Sequence, residues 1–560
     1  MIDALVSSCR RGAAWLEASI PLDDAPPLSE NPCATSVGAS VTLVGILIVV
    51  GSLGLTSGGT RSAGFGLGVA SVAIAVYATW MTPAWIEAYR RRMAVGAAPE
   101  IVAYAVLQAR LTPSLERAAQ FAASQSDGLL GRDLAGVAAA DATGRAGWER
   151  FATEWSDLDE SLPRAVSLLV AGIGSAQPAR DDLLDRALDT ALAGSRERVA
   201  TFATAIRGPT TGIYAFGVML PLAMVGLLPV AASAGVGVSP AAIAVLYDGL
   251  IPMGLLAASA WLAARRPAVA RPPPIRSGLV STRSPTRTTL LAVGVGATAG
   301  VAGYLVLPDW ATWIVIPGVG IGSAATYWFG PIRDRRQVVD SIESGVPDAV
   351  SLVGHRLAAG EPLEAAIAIV GERLSGATAD VFRDGTRVHR RLRVTVPESF
   401  TGPVGALSAY ESPRTETAVS LLAAAARDGP AGGETLVQVS SYLRELDEVE
   451  REARRELART TDTLRQTALV FGPAIAGVTV ALATGMGSLG NGGEAVPVPA
   501  LGVVVGVYVL ALAVVLPSLA VVLKRGLDVS IVGYRVGIAL FTSSLVYPGT
   551  FLAARTVVQV

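Results

Sequence analysis

Lysine is nearly absent from this chain of 560 residues: Lys524 is the single one, so essentially every cation is an arginine. A phosphate-binding loop ending in Gly-Lys-Ser or Gly-Lys-Thr is thereby excluded, because that lysine stands in Leu523-Lys524-Arg525-Gly526. Histidine is almost as rare. His355 and His389 are the only two, far apart and without metal-ligand spacing, which argues against zinc chemistry and a serine–histidine hydrolase together. The two cysteines, Cys9 and Cys33, both precede the first long apolar run and cannot form a disulfide framework for the rest of the chain. Charge is scarce as well, at 16% of residues, where an ordinary soluble domain carries roughly 25%. The net charge of -1 gives no strong field toward nucleic acid. No catalytic, cofactor or metal constellation is expected, and the chain does not read as an enzyme.

What is present is apolar: 51% of residues are hydrophobic and the mean hydropathy is +0.49. About 20 mostly apolar residues cross a bilayer core as a helix, and about nine such runs occur, at residues 39–55, 64–81, 210–231, 241–264, 290–306, 310–329, 467–489, 500–522 and 536–554. The sixth carries Pro317, which membrane helices tolerate. Residues 1–38 do not read as a cleavable signal peptide, since Arg10 and Arg11 lead into Glu17, Asp23, Asp24 and prolines rather than an apolar core. Helical spacing of Ile2, Leu5, Val6, Cys9, Leu16 and Ile20 fits a surface-lying amphipathic helix, and a loosely ordered tail fits equally.

Short loops rich in arginine stay in the cytoplasm. Alternating the nine helices puts Arg10-Arg11, Arg90-Arg91-Arg92, the 265–287 segment, Arg333 to Arg336, and Lys524-Arg525 with Arg535 all on one side. The opposite loops, 232–240, Pro308-Asp309 and 490–499, contain no basic residue, and only Arg61, in a short turn, and Arg555, in the last few residues, break the pattern. A multi-pass cell-membrane protein with its N-terminus in the cytoplasm and its C-terminus outside is expected.

Two hydrophilic stretches, 82–209 and 330–466, then fall in the cytoplasm, each large enough to bury a small core and helical in composition. Residues 265–289, with Pro272-Pro273-Pro274, read as a linker between halves. The halves repeat. Pro99-Glu100 matches Pro347-Asp348, Leu115-Glu116 matches Leu363-Glu364, Ala165 to Leu169 recurs letter for letter as Ala418 to Leu422, and Phe216-Gly217 matches Phe471-Gly472. The expected fold is all-α: about nine membrane helices, paired as 39–81, 210–264 and 290–329 with the last three in 467–560, and two duplicated cytoplasmic helical bundles.

A Pro-acidic helix start, an apolar amphipathic helix, a Gly/Pro turn and a Leu-Glu-x-Ala second helix, as in Pro347-Asp348 through Leu363-Glu364-Ala365-Ala366, resembles the type II secretion system F domain. Members are inner-membrane platform proteins of type II secretion, type IV and tight-adherence pili and the archaellum, and about nine spans is similar to the longer archaeal members. The first copy departs from the pattern, with Leu111-Thr112-Pro113 in place of a glycine turn. The resemblance implies a non-enzymatic scaffold whose partners are a cytoplasmic hexameric secretion ATPase and pilin-like subunits, besides membrane lipids and a second copy in a homodimer. A secondary transporter with internal repeats is the alternative.

Other signals have ordinary readings beside functional ones. Gly64/Gly68, Gly296/Gly300, Gly318/Gly322 and Gly502/Gly506 form Gly-x-x-x-Gly pairs, which serve helix packing or a dimer interface. Asp248 is the one acid inside an expected span and is placed near its outer end. Gly485-x-Gly487-x-x-Gly490 follows no strand and reads as an exit loop. Leu443, Leu446, Val449, Ala453 and Leu457 line one helix face, beside Glu448/Arg451, Glu450/Arg454, Glu452/Arg455 and Glu456/Arg459. Such a helix, running straight toward a span, could act as a stiff lever. For partner binding, the clustered Arg387, Arg390, Arg391 and Arg393 are the first candidates and Arg335 and Arg336 the second.

Overall fold

The computed structural model describes residues 91–126, 128–139, 144–233, 240–266, 284–408, 410, 412–487, 498–526 and 528–558. The chain divides into two units, Met1–Arg91 with Val238–Leu250, and Arg92–Gly237 with Ile251–Val560. Among the described residues every regular element is a helix. The expected N-terminal segment, the runs 39–55 and 64–81 with Gly64/Gly68, and most of the 265–289 linker lie outside the described residues.

In the second unit, six helices follow one another before the first apolar stretch: α1 (Ala98–Leu111), α2 (Leu115–Gln125), α3 (Leu129–Ala139), α4 (Arg145–Glu154), α5 (Ser161–Ile173) and α6 (Ala179–Ala205). The chain punctuates them locally. Pro99 occupies the first turn of α1, where a missing N–H costs nothing, and Ser114 caps α2 by accepting from the Arg117 amide at 3.3 Å. Their shared core gathers Ile101, Trp148, Phe151, Trp155, Leu162, Leu169 and Leu184. Buried Trp148 donates its indole N–H to the Leu115 carbonyl at 3.1 Å, so its polar edge is satisfied.

From α6 the chain passes through α7 (Arg207–Tyr214), a π turn (Ala215–Met219) and α8 (Leu220–Ser233). α9 (Pro240–Ala244) and a second π turn, Val245–Leu250, belong to the first unit, and Asp248 sits in that turn. Six residues separate Asp248 from the start of the apolar helix Ala242–Ala264, about 9 Å along the axis. α10 (Ile251–Ala264) completes that helix. Then come α11 (Pro285–Val306) and α12 (Asp309–Ser344), the latter unbroken through Pro317 and Pro331.

Six more helices come next: α13 (Val346–Ala358), α14 (Leu363–Arg373), α15 (Ala377–Leu392), α16 (Val396–Thr401), α17 (Pro413–Arg427) and α18 (Pro430–Gln466). A capping box between Thr395 and Glu398 starts α16, and Gly360, at φ +82°, makes the left-handed turn between α13 and α14. This core gathers Val350, Val353, Phe382, Phe400, Val419, Leu422 and Leu436. A third π turn (Thr467–Phe471) leads into α19 (Gly472–Gly487), α20 (Val498–Arg525) and α21 (Val529–Val558).

The two six-helix bundles share one pattern of neighbours. In each, the first helix packs on the second, fifth and sixth, the second on the third, the third on the fourth, the fourth on the fifth, and the fifth on the sixth. All four repeated sequence pairs fall at comparable places: at the starts of α1 and α13, at the starts of α2 and α14, within α5 and α17, and at the π turns that follow α7 and α18, the second pair straddling the end of its turn.

Six stretches are long and apolar enough to cross a membrane: Ala179–Leu228, Ala242–Ala264, Thr286–Val306, Pro430–Gly485, Pro499–Arg525 and Val529–Val557. They contain or closely overlap six of the nine expected runs and mark a multi-pass membrane protein. The run 310–329 is not among the six. It lies on α12, where Trp310, Trp313, Pro317 and the three glycines Gly318, Gly320 and Gly322 dilute the apolar character. That half of α12 nevertheless packs between α11 and α21. Glycines permit the contacts: a Cβ on Gly320 would stand 2.7 Å from the Ala292 carbonyl oxygen, and one on Gly322 2.7 Å from that of Gly537. Gly296, Gly318, Gly502 and Gly506 likewise meet neighbouring helices of this same chain, so these pairs serve internal packing.

Candidate partner interface

The arginines singled out from the sequence fall in two different settings. Arg387, Arg390, Arg391 and Arg393 are all exposed at the C-terminal end of α15. Arg387 pairs with Asp384 one turn back. Among the described residues Arg390, Arg391 and Arg393 make no ion pair, and exposed Leu392 stands among them. Arginine there has a local cause too, since cations favour the carbonyl end of a helix. Arg393 ends α15 in the left-handed region at φ 54°, and the His389 ring nitrogen lies 2.8 Å from the Val394 carbonyl oxygen, which fixes how the chain leaves the helix. The result is a local patch of three uncommitted guanidiniums on a rigid element.

Arg335 and Arg336 belong elsewhere. They sit on the continuous helix α12, and Arg336 is largely buried in an ion pair with Asp528 at 2.9 Å, just before α21. That pair is one of a ring of polar contacts between helix ends. Lys524 reaches Asp462 at 2.9 Å, Arg525 reaches Asp340 at 3.1 Å, and Arg92 donates to the Ala264 carbonyl at 3.1 Å. Buried Arg266 donates to the Leu523 carbonyl at 2.9 Å, satisfying the end of α20. Among the described residues, Arg92, Arg266, Arg336, Lys524 and Arg525, drawn from four separate basic clusters of the sequence, thus each tie one helix to another. Arg336 is committed to holding helices together, and of the two only Arg335 has surface to offer.

A third constellation escaped sequence reasoning. Arg414, at the start of α17, faces Glu100 of α1 at 3.6 Å and Asp447 of α18 at 3.4 Å, and pairs directly with Glu450. Glu343, at the end of α12, accepts from Ser412 Oγ at 2.8 Å beside it. Burial raises the carboxyls of Glu343 and Asp447 above their ordinary range, with Arg414 opposing the shift at both. Tyr442 of α18 donates to the Pro99 carbonyl at 2.6 Å, and burial pushes its phenol well up. Further along, Arg196 meets Glu445 at 3.0 Å and Arg207 meets Glu456 at 2.7 Å. These contacts bind the first bundle along the length of α18. Apolar packing of Leu192 with Tyr442, Leu446 and Val449 lies between them.

The expected charge ladder on α18 is therefore only partly internal. Glu450–Arg454 at 3.3 Å and Glu456–Arg459 at 3.4 Å form as spaced, but Arg451 turns to Asp447 at 3.8 Å, and Glu450 and Glu456 also serve the other half of the chain. Its apolar face is buried as the periodicity predicts, from Leu446 to Leu457. The continuity expected of this helix holds as well: Pro430–Gly485 is one helix of 56 residues, and Ala179–Leu228 is its counterpart of 50 residues. At about 1.5 Å per residue these rods reach roughly 84 and 75 Å. Each bundle's sixth helix thereby becomes a membrane helix. At the first junction the π turn releases the Gly217 carbonyl, and the Tyr508 hydroxyl of α20 donates to it.

Among the described residues no group of three or more His, Cys, Asp or Glu side chains is placed to hold a metal ion. Comparison with family models, with characterised proteins and with solved structures finds no match for this chain.

Proposed function

We propose that this protein is a membrane platform of a type IV pilus-like or type II secretion-like machine, a duplicated scaffold that couples a separate cytoplasmic ATPase to the handling of pilin-like subunits in the bilayer. The observation that carries the reading is the pair of long helical rods, in which the sixth helix of each bundle runs on into an apolar stretch through a π turn, so that a push on either bundle is passed to a membrane helix. The shared neighbour pattern of the bundles supports one ancestral unit used twice. In this reading α12 supplies a further span, because α11 must be followed by a return for both bundles to lie on one side. The basic clusters of the sequence favour the cytoplasm for that side, with two further spans at 39–55 and 64–81.

The patch at the end of α15 is the docking site for the ATPase in this reading, since three guanidiniums on a rigid helix end can pair with carboxylates directionally. Arg335 is a lesser contributor, and Arg336 a structural one. Reversing Arg390, Arg391 and Arg393 to glutamate in the full chain should abolish co-purification with the ATPase and filament assembly, with membrane level unchanged. Retention of salt-sensitive binding by that variant would move the contact away from α15.

A further inference from the structure

A groove of about 400 Å³ runs between α7 with its following π turn on one side and α10 on the other. Its walls come from Pro209, Gly212 and Phe216 on one side and from Gly254, Ala258 and Trp261 on the other. The two helices are antiparallel, so Pro209 and Trp261 stand at the end near the bundles and Phe216 and Gly254 stand deeper. Seven residues separate Pro209 from Phe216, about 10 Å, or roughly two thirds of half a bilayer core.

Two of the small residues lining the groove, Gly212 and Gly254, do not serve helix packing. A Cβ on Gly212 or Gly254 would meet nothing within 4 Å, whereas one on neighbouring Gly217 would stand 2.2 Å from Leu255 Cδ2. Gly294 and Gly549 are open as well, but neither lines this groove. Phe216 is 71% exposed and Trp261 38% exposed, so both present aromatic surface to whatever fills the space.

The mouth is cationic. The Arg265 guanidinium lies 4.0 Å over the Trp261 ring, and Arg92 is tied to the Ala264 carbonyl one residue away. Both are exposed, and neither makes an ion pair among the described residues. A tryptophan capped by arginine at the end of a membrane helix is placed for the headgroup level, where the counter-charge is a phosphate.

We propose that this groove binds an anionic phospholipid, one acyl chain lying along Gly212 and Gly254 and the phosphate held by Arg265 and Arg92. The charged mouth favours this over a helix of another copy. A helix about 10 Å across fills roughly 800 Å³ over the same length, twice the space present, and brings no anion to Arg265. The inference is independent of the platform reading.

Native mass spectrometry of the purified full chain, titrated with phosphatidylglycerol or phosphatidylcholine, tests it. One phosphatidylglycerol should bind, with phosphatidylcholine several-fold weaker. Arg265→Glu should weaken phosphatidylglycerol on the order of tenfold, with little effect on phosphatidylcholine and with Arg265→Lys close to wild type. Gly254→Phe, which fills the groove, should remove both lipids, and Gly294→Phe should remove neither; Gly212→Leu replaces Gly254→Phe if size-exclusion elution shows the latter misfolded. Unchanged phosphatidylglycerol binding in the groove-filling variant or in Arg265→Glu overturns the proposal. So does a wild-type dimer that the groove-filling variant converts to monomer without loss of lipid, since a second copy would then be the occupant. A cross-link from position 254 to another helix of the same chain overturns it equally.

Discussion

Replacing Arg414 by alanine removes the one cation that Glu100, Asp447 and Glu450 share between the two bundles. The Glu450 side chain is 5% exposed and that of Asp447 16%, so neither can recover its lost partner from water. Breaking a buried pair from one side costs about 3–5 kcal/mol. Two features reduce that here: Arg414 keeps 32% of its own side-chain surface exposed, and Arg454 remains 3.3 Å from Glu450. A loss of about 2 kcal/mol is therefore expected. It should appear as a lower apparent melting temperature of the detergent-solubilised full chain and as faster amide exchange in α1, α17 and α18. A sharper expectation concerns the pair itself. Arg414→Met with Glu450→Met removes both buried charges, so the double variant should be less destabilised than the sum of the singles by at least about 1 kcal/mol. Strictly additive losses, or an Arg414→Ala variant indistinguishable from wild type, would show that the two bundles are not held together through this arginine.

Gly433→Val should open the second bundle by about 2–3 kcal/mol, because a Cβ there would stand 2.2 Å from the Ala358 amide nitrogen and 2.7 Å from the Gly354 carbonyl oxygen, whereas Gly136→Ala, with open space around it, should stabilise α3 by about 0.5–1 kcal/mol; thermal melts of the two variants give opposite signs. Glu343 holds its proton more tightly in the folded chain than in the unfolded one, since burial is the largest influence on it, opposed by Arg414 and reinforced by Asp340 and Glu450. Its contribution thus favours folding at pH below the ordinary glutamic acid value of 4.5 and is lost as pH rises through its higher folded value. Melting temperature against pH should show that gain on acidification in the wild type and a flatter slope in Glu343→Gln, and parallel curves would assign the slope to other carboxyls.

The helical content and its punctuation were legible because they rest on local causes. Pro99 and Pro347 open helices in the first turn, and the apolar face from Leu446 to Leu457 is set by a spacing that any helix must bury. Six apolar stretches could be read for the same reason, since hydropathy over a bilayer's thickness is a sum along the chain. The run 310–329 shows the limit of that sum. Glycines that lower its hydropathy are the ones that let α12 fit between α11 and α21, so composition and packing pull in opposite directions there.

Side-chain commitments over long separations were not legible. Arg336 looked like free surface charge until Asp528, distant in sequence, was placed against it, and Arg414 gave no local sign of facing Glu100. Its one local feature was its place directly after the helix-opening Ser412-Pro413. That this chain is helical and built around apolar stretches that cross a membrane is written in its residue order, because helix propensity, capping and hydropathy act between neighbours a few residues apart. Which charges are locked, which glycines are filled and which are left open is settled by folding, because those properties depend on what the fold brings within a few ångströms of each residue.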